Sequence, residues 1–438
     1  MSRTCSIAIV AFLIWFGNVA DGQRLRWPQF RGVGGLGISS DDKPLPTKFG
    51  PKHNLSWKVA VPVGDSSPCV WGDFVFLTGA DKNKRQLETL CLDRRTGKVR
   101  WQRSISVDRI ERHHKVSSPA TSTPTTDGSQ VYVYFGSYGL ICYDFQGKLI
   151  WERQLPVPRT RFGTGTSPIV VGELVILSCD FVDNSYLLAV DRQSGKTVWK
   201  QERLPGIEGY ATPVVWHHNG TKEIVLHTPE RIFGCSLKDG KELWRIPIKS
   251  TACATPVVGS ELVFVSTWIH RGEADERIPL PKFAELLQNH DKNKDNKLQQ
   301  TEFPKNIVLL ERKQVNNVNA TVFAHYFFRL FDKNKDKTLD SNEWKALEAE
   351  WDVEPEHGLL AIKPGGKGNV SKTHVVWKQK RFIPECTSPL HHQGLVYLVR
   401  EGGLVTCLDA KTGKQYYQQR LGATGAVFFF NRVGDKKI

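Results

Sequence analysis

Apolar and polar residues alternate in short runs along most of the chain, and turn signals separate these runs. The runs include FVFLTG from Phe74, VYVYFG from Val131, LVILSC from Leu174, LVFVST from Leu262 and LVYLVR from Leu395. A period of two with branched and aromatic residues is typical of β-strands. Short Ser/Thr-Pro elements, such as TSP at Thr166 and Thr387, precede several of the runs. This pattern predicts about four short strands, separated by turns, in each repeat of the chain.

A second motif, a polar turn followed by Gly-Lys and an aromatic residue, recurs after these runs. Its copies are DRRTGKVRW (93–101), DFQGKLIW (144–151), DRQSGKTVW (191–199), KDGKELW (238–244) and DAKTGKQYY (409–417). The glycine suits the positive-φ position of a tight turn, and the strand that follows is expected to carry its aromatic residue inward. Trp57, Trp101, Trp151, Trp199 and Trp244 lie 44, 50, 48 and 45 residues apart. This spacing matches a four-stranded propeller blade.

These repeats resemble those of exported proteins with pyrroloquinoline-quinone-like (PQQ-like) β-propeller repeats, whose unit reads as an alternating strand, LYALD, TGK and W. The opening WPQFRG, Trp27 to Gly32, is also similar to the start of exported members of that family. The resemblance covers residues 27–275 and 356–420 and implies an all-β PQQ-like propeller, and the count of repeat modules favours a seven- or eight-bladed plan. A propeller fold hosts many functions, so function has to be argued from sites.

The repeat pattern also predicts how the chain is divided. The next aromatic anchor, Trp377, comes 133 residues after Trp244, which indicates an insertion in the fifth repeat. We expect a first propeller part at 23–275, an insert at 276–355 and a second propeller part at 356–438. Residues 56–62 are expected to form the last strand of a blade begun elsewhere. Beyond Tyr417 only residues 427–433 are strand-like, so the last blade is expected to be incomplete.

The insert contains two acidic twelve-residue loops, DKNKDNKLQQTE (291–302) and DKNKDKTLDSNE (332–343). Calcium takes six or more oxygen ligands, which an EF-hand loop supplies from positions 1, 3, 5, 7, 9 and 12, with position 7 using its backbone carbonyl. The predicted ligands of the first loop are Asp291, Asn293, Asp295, Lys297, Gln299 and Glu302. Those of the second loop are Asp332, Asn334, Asp336, Thr338, Asp340 and Glu343. We therefore expect calcium as the bound cofactor.

The residues around the loops favour a paired EF-hand. PKFAELLQNH, ATVFAHYFFRLF and NEWKALEAEW carry apolar residues at helical spacing, and Leu298 and Leu339 are expected to pair in a short β-bridge between the loops. Position 6, normally a glycine with positive φ, is Asn296 in one loop and Lys337 in the other. Asn tolerates that conformation, whereas Lys should cost about 1 kcal/mol or more.

The first 22 residues predict export. An apolar stretch from Ile7 to Phe16 follows Arg3 and ends in small residues, which is the layout of a signal peptide and too short to span a bilayer. We therefore expect a periplasmic or secreted protein without a membrane span. Four of the remaining cysteines occupy one repeat position, where a related unit has Ala189. This pattern indicates a small buried slot and free core thiols.

Charge and motifs leave several functions open. With 60 basic and 45 acidic residues the net charge is +15, which suits an anionic surface or glycan, but the basic residues are scattered and do not indicate nucleic-acid binding. The family resemblance implies either a quinone-dependent dehydrogenase or a non-catalytic scaffold. The chain lacks the vicinal cysteine pair common in such dehydrogenases, and no matched set of quinone and cation ligands can be placed. We therefore expect no catalytic residues, and a scaffold that binds another protein.

Overall fold

The computed structural model describes residues 25–39, 46, 48–204, 206, 208–269, 272–273, 276–311, 321–353 and 356–421. Within these residues, six sheets with four antiparallel strands each follow one another along the chain, and Arg26–Trp27 and Gly368–Asn369 add a fifth strand to the first and the fourth sheet. Blade 1 consists of Cys69–Trp71, Phe74–Asp81, Gln86–Asp93 and Val99–Ser106. Blade 2 consists of Thr125–Thr126, Gln130–Phe135, Gly139–Asp144 and Leu149–Gln154. Blade 3 consists of Ile169–Val171, Leu174–Cys179, Ser185–Asp191 and Thr197–Arg203. Blade 4 consists of Val214–His218, Thr221–His227, Arg231–Ser236 and Glu242–Pro247. Blade 5 consists of Val257–Gly259, Leu262–Thr267, Gly358–Ile362 and Val375–Gln379. Blade 6 consists of Leu390–His392, Leu395–Arg400, Leu404–Asp409 and Gln415–Arg420.

Consecutive sheets pack face to face as the blades of a β-propeller. Buried apolar clusters join blade 1 to 2, 2 to 3, 3 to 4, 4 to 5 and 5 to 6. In the first of these clusters, Phe76 and Trp101 of blade 1 contact Tyr143 and Phe145 of blade 2. The predicted all-β propeller is therefore confirmed, while the total number of blades stays a prediction.

The repeated tryptophans hold each blade to the next. Trp101 of blade 1 donates its indole N–H to the carbonyl oxygen of Phe145, in the Gly-Lys turn of blade 2, at 2.8 Å. Its ring covers Gly147, where an added Cβ would lie 2.7 Å from the indole. Trp151 makes the same contact with the turn of blade 3, at 2.9 Å from the Arg192 oxygen. The turn glycine is thus required both by its positive φ and by the ring, and the tryptophan anchors the neighbouring blade.

Trp57 makes this contact too, although residues 56–62 do not form the predicted strand. Its indole donates to the Arg94 oxygen of blade 1 at 2.8 Å, and its ring covers Gly97. A strand needs a paired neighbour, and within the described residues this segment is followed by only one isolated bridge, between Val63 and Ala80. The segment therefore lies where the last strand of a preceding blade would lie, without being a strand itself.

The Ser/Thr-Pro elements form a hydrogen-bonded belt at the hub, where the first strands of neighbouring blades meet. In each step a backbone N–H donates to the Ser or Thr hydroxyl of the next blade. The steps are Ser67 to Thr123 at 3.0 Å, Thr123 to Ser167 at 3.0 Å, Ser167 to Thr212 at 3.1 Å, Thr212 to Thr255 at 3.1 Å and Thr255 to Ser388 at 2.9 Å. A hydroxyl at this position satisfies a buried N–H that no strand pairs. The proline that follows starts the inner strand without needing a donor of its own.

The WPQFRG segment crosses the hub. Arg26–Trp27 adds a short strand to blade 1, and the Pro28 oxygen accepts a hydrogen bond from the backbone N–H of Thr126 in blade 2 at 2.8 Å. The buried Arg31 side chain donates to the Pro389 oxygen of blade 6 at 2.8 Å. The segment therefore connects blades that are distant along the chain.

The insert replaces the loop between the second and third strands of blade 5, since Thr267 and Gly358 pair at its base. Its helices are α1 (Phe283–His290), α2 (Phe328–Phe331) and α3 (Ser341–Asp352). Its strands are Leu298–Gln299 with Thr338–Leu339 and Val308–Glu311 with Thr321–Phe323, and residues Ala324–Phe327 form a 3-10 helix. The expected insertion in the fifth repeat is present.

The helices of the insert differ from the sequence prediction in two details. The segment before the second loop is helical only from Ala324 onward, because Thr321–Phe323 pairs with the strand Val308–Glu311. After the first loop, the chain makes a single turn that ends at Pro304, so no exit helix forms. The helical elements of the insert are therefore shorter than its apolar spacing predicts.

Two of the predicted segments lie outside the residues that the structure describes. The expected signal peptide at 1–22 and the strand-like residues 427–433 lie outside them. In the part of the chain that the structure describes, no helix has both the length and the apolar character needed to cross a membrane.

Candidate metal centre

The first acidic loop folds its side-chain oxygens toward its own backbone. The N–H of Asp295 donates to the Asp291 carboxylate at 3.3 Å and to the Asn293 amide oxygen at 3.1 Å. The Asn296 N–H donates to the other Asp291 oxygen at 2.9 Å, and the Lys297 N–H donates to Asp295 at 2.9 Å. Oxygens from positions 1, 3 and 5 are thus gathered within one turn of chain.

The second loop repeats this pattern atom for atom. The Asp336 N–H donates to Asp332 at 3.1 Å and to the Asn334 amide oxygen at 2.8 Å. The Lys337 N–H donates to Asp332 at 3.0 Å, and the Thr338 N–H donates to Asp336 at 2.8 Å. Two loops that differ in several residues therefore adopt one conformation.

The glutamate at position 12 closes each loop. Glu302 accepts from the backbone N–H groups of Lys292 at 3.0 Å and Gln299 at 3.1 Å. Glu343 accepts from the N–H groups of Lys333 at 2.8 Å and Asp340 at 3.2 Å. Each carboxylate therefore joins the start of its loop to the ninth position.

The ninth position differs between the loops. The Gln299 side-chain amide donates to Asp295 at 2.7 Å, inside the first loop. The Asp340 carboxylate instead caps helix α3, accepting from the N–H groups of Asn342 at 2.8 Å and Glu343 at 2.9 Å. The structure thus gathers positions 1, 3, 5 and 12 in both loops, but turns position 9 of the second loop toward its helix.

The backbone bends as the loop motif requires. At position 6, Asn296 has φ 63° and Lys337 has φ 69°, both in the left-handed region that glycine normally occupies. Position 4 is left-handed as well, at Lys294 with φ 61° and Lys335 with φ 63°, which the sequence pattern did not indicate. A lysine at position 6 is therefore accommodated at the expense of backbone strain.

The two loops are joined side by side. Leu298 pairs with Leu339 in the short β-bridge that the sequence predicted, and both are buried. The Lys297 ammonium also lies 3.2 Å from the Asp336 carboxylate of the other loop. Hydrogen bonds from Thr338, together with Lys297, hold the pKa of Asp336 well below its usual range. From the sequence, position 7 was predicted to be a calcium ligand through its backbone carbonyl only. The spacing of the loop residues does not predict the ion pair between the Lys297 side chain and Asp336.

The residues present fit a hard cation such as calcium. Carboxylate, amide and carbonyl oxygens are the ligand types that calcium prefers, and the loops offer them within a few residues of one another. No group of three or more His, Cys, Asp and Glu side chains is placed to hold a metal ion within the described residues. Because amide and backbone oxygens make up part of the predicted ligand set, calcium binding stays a prediction.

Two buried ionisable groups lie between propeller blades. The Glu111 carboxyl accepts from the Thr164 hydroxyl at 2.9 Å, and burial raises its pKa to about 7. The His227 Nδ1 is hydrogen-bonded to the Ala254 oxygen at 2.8 Å, and burial lowers the pKa of His227 to about 4. Neither residue belongs to a recognisable motif, so sequence reasoning missed both.

Comparisons with known proteins agree with the repeat pattern. A family model described as outer membrane protein assembly factor BamB matches residues 54–201 and 85–271, which together span just under half of the chain. The search of curated proteins found no match.

Solved structures that align with this chain include a BamB protein and two dehydrogenases. The crystal structure of BamB from Moraxella catarrhalis is 13% identical, with 84% of this chain and 77% of that chain covered and a TM-score of 0.46. A europium-containing methanol dehydrogenase is 10% identical, with 92% and 86% covered and a TM-score of 0.43. The quinohemoprotein alcohol dehydrogenase from Comamonas testosteroni is 14% identical, with 94% and 75% covered and a TM-score of 0.44. Over residues 54–271, the repeats of this chain are therefore similar to those of the BamB family model.

Proposed function

We propose that this chain is an exported, non-catalytic β-propeller scaffold that binds another protein and holds calcium in its inserted EF-hand pair. The matching geometry of the two loops carries the proposal. Residues in loops 41 positions apart make the same inward hydrogen bonds at positions 1, 3, 5 and 12. Solvated acidic turns without a shared ligand have no reason to share this arrangement.

Calcium would be held by side chains that now accept hydrogen bonds from loop amides. In the first loop these are Asp291, Asn293, Asp295 and Glu302, with the Lys297 carbonyl and Gln299 completing the set. In the second loop they are Asp332, Asn334, Asp336 and Glu343, with the Thr338 carbonyl and Asp340. Bound calcium would neutralise clustered carboxylates and tighten both loops around the Leu298–Leu339 bridge.

The insert also offers apolar surface for a protein partner. Tyr326 is 73% exposed and Leu330 is 60% exposed, and both precede the second loop by a few residues. Large apolar side chains exposed close together are frequent at protein contacts. This placement supports a partner site beside the calcium loops.

Calorimetric titration of the full chain with calcium tests the proposal. We expect two binding events with Kd values of about 10⁻⁴ to 10⁻³ M, the range of extracellular modules, since lysines at positions 2 and 4 lower the local negative potential. Glu302→Gln should weaken the first site and Glu343→Gln the second. Glu285→Gln is the matched control, because Glu285 is exposed on α1 and outside both loops.

Two results would overturn the proposal. If calcium gives no heat and no change in melting temperature, the loops are not calcium sites. If the protein reconstituted with the quinone and calcium oxidises alcohols in a dye-linked assay, the non-catalytic assignment is wrong. Binding to an acidic polysaccharide that weakens with salt would instead favour an anionic glycan as the partner.

A further inference from the structure

Cys253 and Cys386 face each other at the hub. Each stands two residues before the Ser or Thr of the inter-blade belt, Cys253 before Thr255 in blade 5 and Cys386 before Ser388 in blade 6. The Thr255 N–H donates to the Ser388 hydroxyl at 2.9 Å, which fixes the two segments side by side. The Cys253 thiol donates to the Thr251 carbonyl oxygen at 3.7 Å, and the Cys386 thiol interacts with the Cys253 sulfur.

These two cysteines differ from the others that the structure describes. Cys69, Cys91, Cys142, Cys179, Cys235 and Cys407 are buried, whereas Cys253 and Cys386 are half-buried. Four of the buried cysteines are in the small core slot that Ala189 fills in blade 3, so packing explains them. Packing alone does not explain two half-buried thiols brought together at the hub.

We propose that Cys253 and Cys386 are a cross-linking site, at which a disulfide-type oxidant converts the two thiols into one disulfide between blades 5 and 6. The proposal does not depend on calcium binding. The site lies on the two sides of the insert, because the chain between the cysteines contains both acidic loops. The cross-link would therefore hold the two propeller parts together around the insert.

The chemistry balances with oxidised glutathione as the oxidant. One cysteine thiolate attacks the glutathione disulfide, forming a mixed disulfide and releasing one glutathione thiolate. The second cysteine thiolate attacks the protein sulfur of the mixed disulfide and releases the second glutathione. Two protein thiols lose two electrons and two protons, and the oxidant becomes two thiols.

The site also predicts how the reaction depends on pH. The interaction of its thiol with the Cys253 sulfur, together with burial, raises the pKa of Cys386 well above its usual range. Thiol–disulfide exchange proceeds through the thiolate, so cross-linking should become faster as the pH is raised.

Peptide mapping after oxidation tests the inference. The full chain is treated with oxidised glutathione at pH 8, its remaining thiols are alkylated after denaturation, and a reduced sample is processed in parallel. We expect one cross-linked peptide pair that contains Cys253 and Cys386, with the buried cysteines alkylated. Cleavage within the insert should then leave both halves joined on a non-reducing gel. Free thiols at both positions, or glutathione attached to each, would overturn the proposal.

Matched variants separate the cross-link from a folding defect. Cys253→Ser should leave Cys386 unable to cross-link and should abolish the gel shift. Cys142→Ala should form the cross-link normally, because Ala189 occupies the same core slot in the next blade. If the cross-link disappears equally in Cys142→Ala, loss of structure explains the result and the proposal fails.

Discussion

The propeller and the insert reach order by different means. Between blades, the same contact recurs: a tryptophan ring covers the turn glycine of the next blade and donates to its carbonyl, as at Trp101 and Trp151. The insert has one apolar core of its own, centred on Trp344, and its polar side chains bond to their own loops. Repetition supplies stability in one region, while the other concentrates its ligand chemistry in two short loops.

The difference extends to cooperativity. Every apolar cluster between consecutive blades contains residues of both, so each blade depends on its neighbours. The apolar core of the insert contains residues of the insert alone. A buried ion pair connects its base to the propeller, where Arg400 of blade 6 contacts Glu273 and Glu276. We expect the two regions to unfold as separate units tied at this point.

Removing a blade anchor gives the largest predicted effect. Trp151→Ala removes a ring that is 8% exposed and covers Gly195, and should destabilise the propeller by about 3–5 kcal/mol. Tyr417→Ala is the matched control at the same repeat position in blade 6, where the ring is 40% exposed, and should cost less than about 1 kcal/mol. Denaturant unfolding measures both changes.

The same pair of variants tests whether the regions are independent. Calcium affinity of the insert should be unchanged in Trp151→Ala at denaturant concentrations where the propeller stays folded. An equal loss of stability in the two variants would show that exposure does not decide the role of the anchor. A weakened calcium response in Trp151→Ala would show that the insert does not fold separately.

The buried Glu111 makes the stability of the propeller sensitive to pH. Its pKa is raised from 4.5 to about 7 in the folded state, so between these values the native protein keeps a proton that the unfolded chain releases. Stability from this group is present below pH 4.5 and is lost as pH rises through 7. Glu111→Gln should therefore gain about 2–3 kcal/mol relative to the parent between pH 5 and 8.

Measuring the difference between variant and parent cancels the opposing effect of His227. The pKa of that histidine is lowered from 6.5 to about 4, so its stability is present above 6.5 and is lost as pH falls through 4. Denaturant melts of both proteins at several pH values give the comparison. If the difference in stability between Glu111→Gln and the parent does not change with pH, the pKa of Glu111 is not raised in the folded protein.

The smallest predicted effect lies within the insert. Lys337 has φ 69°, so Lys337→Gly should relieve strain and stabilise the calcium-free insert by about 1 kcal/mol. Asn296→Gly, at the same loop position, should gain less, because asparagine tolerates this conformation. Thermal melting followed by helical circular dichroism measures both. Equal gains at the two positions would mean that residue type does not set the strain.

The propeller repeats and the acidic loops could be predicted from the sequence, because each depends on residues that are close together in the chain. The turn glycines have positive φ, the insert starts in the fifth repeat, and Leu298 pairs with Leu339 as spacing predicted. The strand at 56–62 and the full helix before the second loop were wrong, because strand pairing depends on neighbours that are distant in sequence. The ion pair of Lys297 with Asp336 had no local signal either.

The sequence by itself determined the repeat, the insertion point and the candidate calcium ligands, since turn geometry and loop spacing are set by residues close together in the chain. Only the tertiary structure decided which groups meet across blades. It placed Trp151 on Gly195, gave Glu111 its raised pKa and brought Cys253 beside Cys386. These contacts join different repeats, and their burial and distance arise only when blades pack, so no local pattern records them.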